Sequence, residues 1–232
     1  MSQQTPDMPA PPAMPQAPEP DQREIVVPLT RQSLRGTMEL PDGDIRGLIL
    51  FVSPCAAAGP DDMPEAPHEG DALLRDAGFA TLHVELLRME RCHCPASCNA
   101  LPVLAERLLA VIGHLRRQMA LESLPRLPLG IVAAGRMSPL AVRAAARRDD
   151  DVRALVCLGG LIDVAGRQSL ELLRAPLLFM AEAGDRAALK NAQGAAHHIP
   201  GVVRIEILDT EDPAACRQRK NRLLRDWFVQ HL

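Results

Sequence analysis

The chain has 232 residues, 47% of them hydrophobic, and a formal net charge of -3. That is enough apolar material for one sizeable core, and it gives no electrostatic pull toward nucleic acid or an anionic membrane. Only 2% of residues are aromatic and Tyr is absent, which removes the stacking platforms used by single-stranded nucleic-acid binders.

No run approaches the ~18 apolar residues of a membrane span, and the start has neither a basic region nor an apolar signal core. The sequence therefore predicts a soluble, cytoplasmic protein with no nucleic-acid or membrane partner. Its six cysteines are then expected to be mostly reduced, available for metal, thiol chemistry or plain core.

Residues 1–22, MSQQTPDMPAPPAMPQAPEPDQ, are Pro-rich and nearly free of branched apolar residues. They predict a disordered tail ahead of one domain over 23–232. REIVVPLT and SLRGTMEL alternate apolar with polar and predict an antiparallel pair at a sheet edge. Pro41-Asp42-Gly43-Asp44 is a turn signal, and Gly47 to Val52 is a continuous apolar run that predicts a buried parallel strand. A loop, Ser53 to Ala66, precedes a helix from His68 to Ala77 that Gly78 is suited to end.

Ala80 to Leu87 predicts the next strand, and a Cys-rich loop, Arg88 to Cys98, follows it. A long helix over about 100–121 has apolar spacing near 3.6 residues. Further on, Val152 to Leu158 predicts a strand ending on Gly159-Gly160, and Val164 to Arg174 a helix stopped by Pro176. Leu177 to Ala181, Ala187 to His198, Val202 to Leu208 and Pro213 to Gln230 continue as strand, helix, strand and helix. An opening hairpin followed by repeated strand–helix units predicts an α/β fold: a doubly wound, mainly parallel sheet with helices on both faces.

The chain's organising stretch is Leu127 to Ala146, LPLGIVAAGRMSPLAVRAAA. An apolar strand runs into the tight turn Gly135-Arg136-Met137. Ser138 can then cap a helix, and Pro139 suits its first turn. Strand, sharp turn and helix make the shape of a nucleophile elbow, where Gly-x-Ser-x-Gly lifts a serine above the sheet. Here the five positions read Ala133-Ala134-Gly135-Arg136-Met137, with glycine where the serine belongs.

Order, spacing and four phrases together resemble the α/β-hydrolase fold, and most of all its capless, dienelactone hydrolase-like members. The phrases are LRDAGFATLHVELL, ERLLAVIGHLRRQ, VRALVCLGGLIDVAG with its trailing RAPLLFMAEAGD, and PGVVRIEIL before an acidic-Pro helix start. The resemblance runs from about Glu24 to the C-terminus. It implies a crevice at the carboxyl ends of the strands, worked by a nucleophile, a histidine, an orienting carboxylate and an oxyanion pocket. It places Asp185, just past the seventh strand, at the carboxylate position, and Gly135 at a vacant nucleophile position. The histidine is due in the loop after Leu208, which reads Asp209-Thr210-Glu211-Asp212-Pro213. The oxyanion loop, His-Gly-rich in relatives, reads Ser53-Pro54-Cys55-Ala56.

The first expectation is therefore a hydrolase-fold binding module for a small molecule or a protein, without a working Ser–His–Asp triad. In it, Arg136 and Ser138 flank the ligand crevice. The second is a divergent hydrolase of small esters or lactones, using Cys55 as a thiol nucleophile or a water held by Asp185. The third rests on Cys92-His93-Cys94-Pro95-Ala96-Ser97-Cys98. Cys92, Cys94 and Cys98 supply three soft ligands for a zinc ion, with Cys55, His68 or His93 as a fourth, or a reversible disulfide. No other cofactor is expected. Cys157 and Cys216 read as core or surface filler, and Arg147, Arg148 and Asp149–Asp151 as solvated ends of a helix-to-strand turn.

Overall fold

Gly47–Ser53 and Leu129–Ala134 are apolar at almost every position, and both become strands buried on their two faces at the middle of the sheet. The computed structural model describes residues 21–29, 33–54, 68–87, 101–121, 124–209 and 211–232. The Pro-rich segment 1–20, Cys55, the Cys92–Cys98 cluster and the side chain of His68 lie outside the described residues, and so do the expectations attached to them.

The strands are β1 (Gln22–Pro28), β2 (Ser33–Glu39), β3 (Gly47–Ser53), β4 (Phe79–Glu85), β5 (Leu129–Ala134), β6 (Val152–Leu158), β7 (Leu177–Glu182) and β8 (Val203–Leu208). They form one eight-stranded sheet in the order β1-β2-β4-β3-β5-β6-β7-β8. The hairpin β1–β2 sits at one edge, and both β1–β2 and β2–β4 pair antiparallel. Every other pair is parallel, with Leu50 opposite Ile131 at the centre.

Among the described residues, six α-helices cover the sheet: α1 (His68–Asp76), α2 (Leu101–Ala120), α3 (Ser138–Arg147), α4 (Arg167–Leu172), α5 (Arg186–Ala196) and α6 (Pro213–His231). Side chains of a strand alternate between faces, so each central strand feeds two cores. Leu48, Leu50, Val52, Leu82 and Ile131 meet Leu104, Leu108 and Val111 of α2 and the alanines of α3. Ile49, Phe51, Phe79, Val132 and Met180 meet Leu74 of α1 and Leu224, Trp227 and Phe228 of α6. Phe228 is fully buried, which contributes on the order of 3 kcal/mol. It lies so close to β5 that a Cβ on Gly130 would overlap its ring.

Two expectations are corrected here. The helix expected from Val164 to Arg174 is broken: Ile162–Ala165 is a 3-10 turn, and α4 starts only at Arg167. Between them Gly166 has φ +87°, a conformation that no right-handed helix contains. Asp151 is not a solvated end. Its carboxylate lies 2.9 Å from the Arg116 guanidinium and 3.6 Å from Arg148, tying α2 to the start of β6. Among the described residues, no helix is long and apolar enough to cross a membrane.

Candidate functional site

The parallel strands end together on one edge of the sheet, and each loop leaving that edge brings its own side chains to it. At the end of β5 the chain turns through the 3-10 segment Gly135–Met137 directly into α3. Gly135 has φ +51°, the left-handed conformation that a strand-to-helix elbow demands and a glycine supplies without strain. The elbow geometry is present, and its apex carries no side chain. Next to it Arg136 is exposed, while Met137 is buried beneath.

Ser138 is the first residue of α3, and the N-cap position belongs to Met137, which makes no side-chain cap bond. The Ser138 side chain is fully buried, and its hydroxyl donates to the Gly159 carbonyl at 2.8 Å. Its role is thus to fasten the elbow to the loop after β6, with Pro139 in the first turn as expected. Gly159 and Gly160 take φ +67° and +84°. These positive angles fold the β6 loop over the elbow, with Gly160 against the Gly135 carbonyl. Below them, Cys157 is buried and its thiol is pushed up to about 12, first by burial, with the Ser138 contact pulling the other way. A thiol held that firmly protonated is core, in line with the expectation, and no nucleophile.

Asp185 follows β7, and its exposed side chain caps α5 by accepting from the Ala188 N–H at 3.0 Å. After β8 the acidic loop serves the backbone. Asp209 accepts from the Glu211 N–H at 3.1 Å, and Asp212 caps α6 by accepting from Ala214 and Ala215. Residues 209–230 contain no histidine.

A histidine–carboxylate pair does form elsewhere, between residues the sequence reading leaves apart. His83 of β4 places Nε2 2.9 Å from the Asp71 carboxylate of α1. Its ring stacks on Phe51, with centroids 4.5 Å apart and planes inclined by 9°. The Asp71 side chain is only 3% exposed. One turn further along α1, Arg75 pairs with Glu39 of β2, which also accepts from Gln22. The pattern ties α1 down onto the antiparallel edge. The nearest sequence signal is the four-residue spacing of Asp71 and Arg75 on one helix face.

No family model matches the chain. Two Mycobacterium tuberculosis proteins, from strains CDC 1551 and H37Rv and each named "Putative phosphoribosyl transferase", are 35% identical to it over 165 residues. The match takes in 69% of this chain and 36% of theirs, so the chain spans about a third of the length of the curated relatives it matches. Among solved structures, the dienelactone hydrolase of Anabaena variabilis superposes with a TM-score of 0.80 at 24% identity, covering 92% of this chain and 99% of that one. Est1E of Butyrivibrio proteoclasticus superposes with a TM-score of 0.70 at 11% identity, covering 89% and 98%. Together with the strand order and the elbow, these likenesses show that the chain has the α/β-hydrolase fold.

Proposed function

We propose that this α/β-hydrolase-fold chain is a binding module whose carboxyl edge receives a small-molecule ligand or a protein without hydrolysing it through a Ser–His–Asp triad. One observation carries the reading. The elbow keeps its shape at Gly135, with φ +51°, but glycine has no nucleophile to present. The absence of histidine from residues 209–230 supports it, because a triad also needs a base on the opposite rim. Fold alone carries no activity. The transferase activity in the relatives' name is not carried over either, since the matched segment is 36% of their length.

The test is hydrolysis of short-chain p-nitrophenyl esters by folded protein, alongside the Cys55→Ala variant, with and without added zinc. The expected result is no turnover above buffer in any arm. Turnover lost in Cys55→Ala overturns the reading in favour of a thiol nucleophile. Turnover kept in the variant overturns it in favour of a water held by Asp185 or by a metal.

A further inference from the structure

Away from the elbow, α5 lies beside the 3-10 turn Ile162–Ala165 and α4, and a cleft of about 580 Å³ runs between them. That volume is within the range of small-molecule sites. On the α5 side the lining residues Ala187, Asn191, Gly194 and Ala195 recur at helical spacing, so one stripe of the helix faces the cleft. The stripe from Ala187 to Ala195 is about 12 Å long. Its residues are small, and a Cβ built on Gly194 meets nothing within 4 Å. The space above Gly194 is therefore open. Leu170, only 2% exposed, and Leu161 give the opposite wall an apolar surface.

Two opposite charges line this one cleft, Asp163 on the turn and Lys190 on α5. Each is exposed, and among the described residues neither side chain makes an ion pair or hydrogen bond. Asn191 is already oriented: its Oδ1 accepts from the Asp163 N–H at 3.3 Å, which leaves the amide NH2 free to donate. In another open groove, between β1 and α2, the charged side chains that line it already have partners. There Glu106 is paired with Arg147 at 2.9 Å, and Arg107 donates to the Leu86 carbonyl.

We propose that the cleft between α5 and the Ile162–Leu172 segment binds a small zwitterion with an apolar side chain, the chemistry of a free aliphatic amino acid. The ligand's carboxylate faces the Lys190 ammonium and the Asn191 amide. Its ammonium faces the Asp163 carboxylate, and its apolar body fills the space over Gly194 between Leu170 and Ala195. Either charge alone gains one of these contacts and leaves the other protein charge opposed or idle. Both contacts are open to solvent, so each is worth little, and the affinity is modest, with Kd on the order of 1 mM. The site shares no residue with the elbow or with Asp185, so it goes beyond the reading of the carboxyl edge and does not depend on it.

The experiment is calorimetric titration of the full chain with L-leucine, 4-methylvaleric acid and isoamylamine, which share the apolar body and differ in charge. Saturable binding of L-leucine is expected, with each singly charged analogue about fivefold weaker. Lys190→Ala and Asp163→Asn should each weaken L-leucine about fivefold. Gly194→Leu fills the cleft with a good helix former and should abolish binding while the melting temperature is kept. The proposal is overturned by the absence of saturable L-leucine binding, by analogues that bind as well as leucine, or by unchanged binding in a folded Gly194→Leu protein.

Discussion

Gly160 lies so close to Gly135 that a Cβ on Gly160 would overlap the Gly135 carbonyl oxygen. The loop after β6 therefore acts as a clamp on the elbow, and it works only with glycine. Gly160 also sits at φ +84°, so any side chain meets both a backbone clash and strain. Gly160→Ala is expected to cost about 2–4 kcal/mol, read as a lower denaturation midpoint at unchanged slope. Gly135→Ser places a side chain at φ +51° for about 1–2 kcal/mol. It should restore no ester hydrolysis, because the β8 loop offers no histidine to take the proton. An active Gly135→Ser protein would mean that a base reaches the elbow from elsewhere.

The second clamp is polar. The Ser138 hydroxyl donates to Gly159 at 2.8 Å from a fully buried site. Ser138→Ala leaves that carbonyl without this donor and is expected to cost about 1–3 kcal/mol. The neighbouring Cys157 thiol, at about 12 and buried, should resist iodoacetamide in the native protein at pH 8. Cys216, half-buried on α6, should be alkylated first, and peptide mass spectrometry of partly labelled protein separates the two. Early labelling of Cys157 would show that the elbow opens.

Much of this arrangement is legible in the chain, and the reason is local. Gly47–Val52 and Leu129–Ala134 have no polar residue to place, so burial on both faces is their only outcome. The elbow is legible because a strand, Gly135 and Ser138-Pro139 occur in immediate succession. The break at Gly166 is not, because one glycine inside a helical apolar pattern is compatible with a continuous helix, and only its φ reveals the stop. The burial of Ser138 depends on an acceptor 21 residues away. The zwitterion cleft joins residues of two segments whose facing no spacing records.

His83 and Asp71 are the other relationship that only the fold supplies. Removing the imidazole leaves a carboxylate 3% exposed without its partner, and burying an unpaired charge is costly. His83→Ala is expected to destabilise by about 2–4 kcal/mol, and Asp71→Asn by less, because the amide still bonds the ring. A double-mutant cycle between the two positions should give a coupling of about 1–3 kcal/mol. Coupling near zero would mean that α1 is held by its apolar face and Arg75 alone.

His231 gives the pH dependence its sign. The ring packs against Trp227 with centroids 4.2 Å apart, and Nε2 is buried with no hydrogen-bond partner among the described residues. Burial lowers its pKa below the ordinary value of 6.5, because a proton there would charge a ring edge that water does not reach. The unfolded chain therefore binds the proton first. Stability is highest above pH 6.5, falls as the pH drops below that value, and stops falling from this source once the native ring also protonates. His114 on α2 is shifted the same way, first by burial and then by Arg117, so the wild-type curve contains both. His231→Phe keeps the packing against Trp227 and removes the titration. Urea midpoints measured from pH 8 to pH 5 should therefore fall less steeply in His231→Phe than in the wild type. Parallel curves would show that the imidazole is solvated in the native protein.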